Sequence, residues 1–140
     1  MAARPGGRRG EIHLVSYVFP HKRADRTGEA IPEKERPVLI LQTDDDNGND
    51  RYPLVLGAPL TTQKTDRVYQ QDVLLRAGEA NLAHDSKVLL GLTQPFLKTR
   101  LGRTIGCVSA RTMAQVEAKL SRLFGLRPPS NSSLPPTGSP

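Results

Sequence analysis

The hydrophobic and polar positions of this chain alternate over short stretches that are typical of β-strands. Six stretches are predicted as strands because they combine apolar runs with flanking Gly, Pro, Asn or Asp residues. They run from Glu11 to Tyr17, Pro37 to Gln42, Tyr52 to Leu60, Asp72 to Leu75, Ser86 to Leu90 and Ile105 to Val108. The chain is therefore expected to be mainly β.

One amphipathic helix is predicted towards the C-terminal end, from Ser109 through Phe124. Ser109 is a suitable N-cap, and Gly125 follows the last apolar position, where helices commonly end. Four apolar residues recur at helical spacing between them: Met113, Val116, Leu120 and Leu123. Short strands with one terminal helix favour a small, strongly bent barrel of SH3-like type that the helix closes.

Two loops separate the first three predicted strands. The first, Phe19 to Glu35, is long and polar, and a loop of that length in a compact domain is usually functional or mobile. The second, Thr43 to Asp50, is acidic like a calcium loop, but placing Gly48 at the sharp turn leaves Leu54 where a bidentate Glu is required. We therefore reject a metal site there and predict a hairpin loop with an Asn-Gly turn.

The length of 140 residues fits one compact domain with two tails. Residues 1–9 are rich in Gly and Arg and residues 128–140 in Pro and Ser, so both are predicted to be disordered, which leaves 10–127 as the folded domain. The net charge of +6 favours an anionic partner, although charge alone does not distinguish a nucleic acid from an acidic protein.

Cysteine content and hydropathy limit the cellular setting. Cys107 is the only cysteine, which leaves no disulfide framework and no Cys-rich zinc site within one chain. The first residues contain no apolar signal region, and no run approaches the roughly 20 apolar residues of a membrane span. A soluble protein of the reducing cytoplasm is expected.

Candidate chemistry lies at the ends of two predicted strands. Arg36 precedes the apolar run that starts at Val38, and Thr61 follows the run that ends at Leu60. A guanidinium and a hydroxyl are suited to hold a phosphate whose nucleophile, the ribose 2′-OH, comes with an RNA substrate, so that no metal or cofactor is needed. The same fragments are also ordinary ways to begin and end an edge strand, and at this level both interpretations stay open.

Seven segments, taken in order, give a more specific indication. They are Arg-Gly-Glu-Ile at 9–12, Arg-Pro-Val-Leu-Ile at 36–40, Leu-Thr-Thr-Gln at 60–63, Asp-Ser-Lys-Val-Leu-Leu at 85–90, Leu-Lys-Thr-Arg-Leu at 97–101, Ile-Gly at 105–106 and the helical pattern from Met113 to Leu126. In this order, over about residues 9–127, the chain resembles the MazF/PemK toxin family.

The resemblance implies a homodimeric, metal-independent endoribonuclease with a small barrel of the CcdB/MazF type. Such a toxin belongs to a toxin–antitoxin pair and cuts single-stranded RNA, chiefly mRNA, at short sequences. It implies no cofactor. The expected partners are RNA and a MazE-like antitoxin with an acidic flexible tail, and DNA would be contacted only indirectly through that antitoxin.

The resemblance assigns Arg36 and Thr61 as the catalytic residues. In such a cleavage the 2′-OH attacks the adjacent phosphorus and leaves a 2′,3′-cyclic phosphate and a 5′-hydroxyl, with electrostatic stabilisation carrying most of the rate. The predicted RNA-binding residues are Thr62, Gln63, His21, Lys22, Arg23, Arg26, Tyr17, Lys98 and Arg100. His21 is considered for proton transfer and Tyr17 for base stacking, although a solvated histidine and a packed tyrosine are the alternatives.

The chain departs from the family pattern in two places. Residues 28–35 contain acidic side chains without a clear register before Arg36, and residues 92–95 replace a Gln-x-Arg stretch, which affects the expected RNA sequence preference more than the reaction class. Two other functions stay open, namely a gyrase-directed, CcdB-like toxin that binds without chemistry and a non-catalytic RNA-binding module. The gyrase toxin would need an aromatic C-terminal end, whereas this tail is rich in Ser and Pro.

Overall fold

The computed structural model describes residues 7–17 and 34–126 and shows a bent antiparallel sheet with a C-terminal helix. Within these ranges the strands are β1 Glu11–Tyr17, β2 Lys34–Ile40, β3 Leu54–Thr61, β4 Asp72–Leu75, β5 Ser86–Leu89, β6 Gln94–Leu97 and β7 Leu101–Cys107. The helices are α1 Asp44–Asn47 and α2 Ala110–Leu123. The predicted fold class, mainly β with a C-terminal helix, is confirmed.

The strand that the sequence pattern missed is β6. It is four residues long and contains Pro95, which lacks a backbone N–H and so argues against a strand in the middle of a sheet. In the structure β6 lies beside the first half of β3, where Pro95 pairs with Leu56. Because β6 is short and contains a proline, the sequence lacks the longer apolar run that predicts a strand.

The sheet is organised on β3, because three other strands pair with it. Its first half pairs with β6, residues 57–59 pair with β2, and Leu60 and Thr61 pair with β5. The strand order is β4-β5-β3-β2-β1-β7, with β6 attached to β3. The end of β3 that carries Thr61 therefore lies between β2 and β5.

The predicted barrel is not closed in the described part of the chain. The strands at the two ends of the order, β4 and β7, form no ladder with each other. A 3-10 turn, Glu79–Asn81, lies against β7 instead, where the side-chain amide of Asn81 donates to the carbonyl of Ile105 at 2.9 Å. A Cβ added to Gly106 would lie 2.4 Å from the carbonyl oxygen of Ala80, so this close approach requires glycine.

The second half of β2 is buried on both faces, because its side chains alternate between two hydrophobic clusters. Leu39 belongs to a cluster that also contains Met113 and Val116 of α2. Val38 and Ile40 belong to a second cluster on the other side. A slip of one residue would exchange the two sets of side chains, so burial on both faces fixes the register of β2.

The C-terminal helix forms as the pattern predicted. The Oγ of Ser109 accepts a hydrogen bond from the backbone N–H of Thr112 at 3.1 Å, which caps the first turn. Gly125 follows the helix with a φ of +69°, the left-handed conformation that favours glycine. The N-cap and the stop signal were local, so the sequence alone was sufficient to place both ends of α2.

The prediction of an Asn-Gly hairpin turn between β2 and β3 is wrong. The segment forms the short helix α1, capped by Thr43, and Gly48 has a φ of −87° rather than the positive φ of that turn. The side chain of Asn47 is fully buried, donates to the carbonyl of Gln42 at 2.9 Å and accepts from the Gln42 amide at 3.1 Å. These buried hydrogen bonds override the local turn signal.

Part of the predicted N-terminal tail belongs to the fold. Arg9 donates from Nε to the carbonyl of Leu41 at 3.1 Å and forms an ion pair with Glu117 at 2.9 Å. Of the predicted tail positions, 1–6 and 128–140 lie outside the described residues. Among the described helices, none has the length and apolar content needed to cross a membrane.

The buried amide pair in the turn gives a test of the fold. We expect Asn47→Ala to lower the free energy of unfolding by about 2 kcal/mol, because buried groups of Gln42 lose their partners. The exposed Asn49, whose side chain accepts from the N–H of Arg51, is the matched position, and Asn49→Ala should cost less than about 1 kcal/mol. Urea unfolding followed by circular dichroism measures both variants, and equal losses would contradict the assignment.

Candidate active site

The pairing of β2 with β3 brings Arg36 and Thr61 together. In this antiparallel ladder Val38 pairs with Pro59 and Ile40 with Gly57. Arg36 lies two residues before Val38 and Thr61 two residues after Pro59, so both lie where this ladder ends, and both line one cleft. The hairpin of β2 and β3 separates Arg36 from Thr61 in sequence, but the pairing of these strands brings both residues to one opening.

A cleft of about 220 Å³ opens where these strand ends meet. Four residues predicted from the sequence to act on RNA share its wall: Arg36, Thr61, Thr62 and Gln63. The other lining residues are Lys34, Glu35, Pro37, Leu60 and Ser86. The fold thus collects a cation, hydroxyls and an amide around one opening.

Three polar lining residues were missed by sequence reasoning. Lys34 and Glu35 were assigned to the loop before Arg36, but β2 begins at Lys34, ahead of its apolar run. Ser86 reaches the cleft because β5 pairs with the end of β3, where Thr61 lies opposite Lys87. An earlier start for β2 would have been hard to find, since its first residues are polar and exposed.

Arg36 is half-buried and lies beside an aromatic pair. Its guanidinium carbon is 5.8 Å from the centroid of the Tyr17 ring, within the range of a cation–π contact. Tyr17 packs edge-on against Phe96, with the ring centroids 5.3 Å apart. Burial raises the pKa of Tyr17 to about 12, and the nearby Arg36 charge offsets this only in part, so the phenol is neutral at physiological pH.

The packing of Tyr17 bears on its predicted role in stacking on an RNA base. The side chain is buried in the second hydrophobic cluster and only 7% exposed, so its ring does not offer a face to an RNA base. The packing alternative fits its position better than the predicted stacking role. Tyr17 instead forms part of the surface on which the Arg36 guanidinium lies.

The hydroxyl of Thr61 has a defined hydrogen-bonding role. Its Oγ1 accepts from the backbone N–H of Gln63 at 3.1 Å. Because the hydroxyl acts as the acceptor in this contact, its own hydrogen is available to a ligand oxygen in the cleft. The same contact turns the chain after β3, which places Thr62 and Gln63 at the exposed rim.

Lys98 lies away from this cleft. The side chain is almost fully buried, and its Nζ donates to the carbonyls of Asp46 at 2.6 Å and Asn49 at 2.8 Å. It anchors the acidic turn at the start of β3, the end opposite Thr61. This position fits a structural cation rather than the predicted phosphate contact.

Arg100 lines a second groove. This groove has a volume of about 350 Å³ and is bordered by β1 and β6 residues that include Tyr17 and Phe96. Arg100 is exposed and donates from Nη2 to the carbonyl of Ser16 at 3.1 Å. Its role in RNA binding stays a prediction.

The remaining predicted RNA-binding residues fall in the loop before β2. His21, Lys22, Arg23 and Arg26 lie outside the described residues. Of the other histidines, His13 is buried between the Glu11 carboxylate at 2.9 Å and the Gly102 carbonyl at 3.0 Å, a structural position. His84 is exposed and does not line the cleft.

Comparison with known proteins agrees with this fold. A family model described as PemK-like, MazF-like toxin of type II toxin-antitoxin system matches residues 8–124. Endoribonuclease MazF6 of Mycobacterium tuberculosis is 33% identical over 95 residues, which cover 68% of this chain and 82% of that protein. The match therefore extends over most of the described residues.

Solved structures show the same architecture. The Mycobacterium tuberculosis toxin MazF-mt6 matches with a TM-score of 0.63 at 26% identity, over 84% of this chain and 98% of its own. A mycobacterial endoribonuclease solved in complex with its cognate antitoxin has a TM-score of 0.65 at 20% identity, over 87% of this chain and 98% of its own, which supports the fold. The sequence match and the shared fold agree, and the chain belongs to the PemK-like, MazF-like family of toxins of type II toxin–antitoxin systems.

Proposed function

We propose that this family member is an endoribonuclease toxin that cleaves single-stranded RNA, chiefly mRNA, in the cleft lined by Arg36 and Thr61. The observation that carries the proposal is the convergence of a guanidinium and a hydroxyl from two paired strands at one opening. The relatives named endoribonucleases, at 33% identity, support the reaction class. Cleavage needs no metal or cofactor, because the substrate brings its own nucleophile.

The reaction is a transesterification within the RNA. The ribose 2′-OH attacks the neighbouring phosphorus, the bond to the 5′-oxygen of the next nucleotide breaks, and the products carry a 2′,3′-cyclic phosphate and a 5′-hydroxyl. Negative charge builds on the phosphoryl oxygens as the new bond forms. The Arg36 guanidinium offers two parallel N–H donors to those oxygens, and the Thr61 hydroxyl offers a third.

Proton transfer contributes less in this scheme than charge stabilisation. Arg36 is always protonated near neutral pH and is a poor general base. Glu35 is the carboxylate among the described lining residues and is able to accept the 2′-OH proton, while the departing 5′-oxygen takes up a proton from solvent. His21, which lies outside the described residues, stays the alternative proton carrier.

The proposed partners, RNA and an acidic antitoxin, would both bind at the cleft. An acidic, flexible antitoxin tail would compete with RNA for the cations at the cleft, Lys34 and Arg36, because both ligands are anionic chains. The toxin is proposed to act as a homodimer in the cytoplasm, where mRNA is found. DNA would be reached only through the antitoxin.

Arg36 gives the sharpest mutational test. We expect Arg36→Lys to lower kcat by about 100-fold or more, because a lysine keeps the charge but loses the paired donors that match two phosphoryl oxygens. Arg51, exposed in the turn at the other end of the hairpin, is the matched position, and Arg51→Lys should leave kcat unchanged. Initial rates on a defined RNA oligonucleotide measure both variants. A folded, fully active Arg36→Lys variant would refute the mechanism.

Thr61 is tested by separating its shape from its hydroxyl. Thr61→Val keeps the shape and removes the donor, so kcat should fall by about 100-fold, whereas Thr61→Ser keeps the donor and should retain most of the activity. Thr99→Val, at an exposed position on the 3-10 turn Lys98–Arg100, controls for loss of a surface hydroxyl. Equal rates for the Val and Ser variants at position 61 would remove Thr61 from the mechanism.

The reaction class is tested with RNA in EDTA. Purified, antitoxin-free protein should cut a long single-stranded RNA at one short recurring sequence and leave cyclic phosphate ends. A single 2′-deoxy nucleotide on the 5′ side of the scissile phosphate should abolish cleavage, because it removes the nucleophile. Mapping the 5′ ends of the fragments locates the cuts and shows whether the 2′-deoxy substitution removes them. Intact RNA with a folded protein would favour a toxin or module that acts by binding alone.

A further inference from the structure

Two exposed tyrosines each lie over a buried lysine in this fold. The Nζ of Lys87 is 5.6 Å from the Tyr69 ring centroid, and the Nζ of Lys98 is 5.8 Å from that of Tyr52. Both lysines are nearly inaccessible, at 5% and 6% exposure, whereas Tyr69 is 56% and Tyr52 39% exposed. Each pair therefore presents one aromatic face to solvent above a fixed positive charge.

Lys87 holds the segment that carries Tyr69. Its Nζ donates to the carbonyl of Arg67 at 2.7 Å and lies 3.5 Å from the carboxylate of Asp72. That carboxylate also accepts from the backbone N–H of Tyr69 at 3.0 Å. Lys87 below the ring and the backbone N–H of Tyr69 thus both contact Asp72, the first residue of β4. The ring is positioned before any ligand arrives, which reduces the entropy lost on binding.

The two pairs occupy opposite ends of β3. Lys87 is the direct partner of Thr61 in the ladder between β3 and β5, so the Tyr69 pair lies at the end of β3 that forms the cleft. Lys98 follows Leu97, which pairs with Leu54 at the other end of β3. An eight-residue strand is about 25 Å long, which separates the two tyrosines clearly.

We propose that Tyr69 stacks on a base of the RNA, at a nucleotide that flanks the scissile phosphate. This inference rests on the proposed function, because it places the RNA backbone against Arg36 and Thr61. The segment that bears Tyr69 begins with Thr62 and Gln63, which line the cleft, so RNA held in the cleft would extend along this segment towards Tyr69. Base stacking on an aromatic ring is tolerant of base identity, so the ring would accept an unpaired base of any kind.

The surroundings of Tyr69 favour a nucleic acid over a protein partner. Val68 beside it is 42% exposed, which gives a small apolar area around the ring. Lys64 and Arg67 are exposed on the same segment, and Asp66 is its exposed acid. A flat ring with a narrow apolar border and neighbouring cations matches one unpaired base with its phosphates.

The test uses an RNA oligonucleotide that carries the cleavage site mapped on wild-type protein. A 2′-deoxy nucleotide at the scissile position prevents cutting, so that the dissociation constant can be measured by fluorescence anisotropy. Tyr69→Ala should weaken binding by about 5- to 100-fold, the range for loss of one base–aromatic stack. Tyr69→Phe should bind within about two-fold of wild type, because it keeps the stacking face. Tyr52→Ala, which removes the other tyrosine, should not change the dissociation constant.

Abasic substitutions in the RNA identify the contacted nucleotide. Removing one flanking base at a time should weaken wild-type binding at one position by the same factor as Tyr69→Ala. At that position the abasic RNA should bind wild type and Tyr69→Ala equally, because the two changes remove the same contact. A second loss of similar size in the combined measurement would overturn the assignment.

The outcomes separate this inference from the proposed function. Wild-type protein that neither binds nor cuts RNA would refute the ribonuclease itself. Wild-type cleavage together with unchanged binding by Tyr69→Ala would refute only the stacking site. If Tyr69→Ala binds RNA normally but escapes inhibition by the antitoxin, the ring contacts the antitoxin and the stacking proposal is wrong.

Discussion

The antiparallel register between β2 and β3 is the constraint on which the candidate active site depends. Arg36 lies at the start of one strand and Thr61 at the end of the other, so they meet only in the register that pairs Val38 with Pro59. A slip of one residue would turn the two side chains to opposite faces of the sheet. Burial of β2 on both faces opposes such a slip, and the buried Gln42–Asn47 amide pair fixes the hairpin at its closed end.

The basic residues of this chain serve two different purposes. Arg9 pairs with Glu117, and the ammonium groups of Lys87 and Lys98 are buried against backbone carbonyls, where they anchor loops. Arg36 lines the cleft, with its guanidinium beside the Tyr17 ring. The net charge of +6 therefore overstates the positive charge available to an anionic chain. Binding of RNA would rest on where the cations lie more than on how many there are.

In the proposed mechanism, accurate placement of donors contributes more than proton transfer. An RNA substrate supplies its own nucleophile, so a fixed guanidinium and a hydroxyl are enough to stabilise the charge that develops. Such a site requires rigidly held side chains rather than side chains with shifted pKa values. The packed Tyr17 ring beside Arg36 and the Gln63 N–H on the Thr61 hydroxyl provide that rigidity.

The sequence by itself determined the elements whose signals are local. The period of two in β1, the cap at Ser109 and the left-handed Gly125 each lie within a few residues of what they control, so the pattern located them. Arg36 and Thr61 were identified by resemblance to the family rather than by their spacing. Family membership is now established, and the cleft shows that the two residues share a wall.

The tertiary structure alone decided the features that depend on distant contacts. β6 forms because it pairs with β3, although it contains Pro95. The acidic turn is helical because Asn47 is buried against Gln42. The place of Ser86 in the cleft and the burial of Lys98 also come from pairing between segments far apart in the chain. These outcomes depend on which groups lose water when the sheet assembles, and no local pattern of residues encodes that loss.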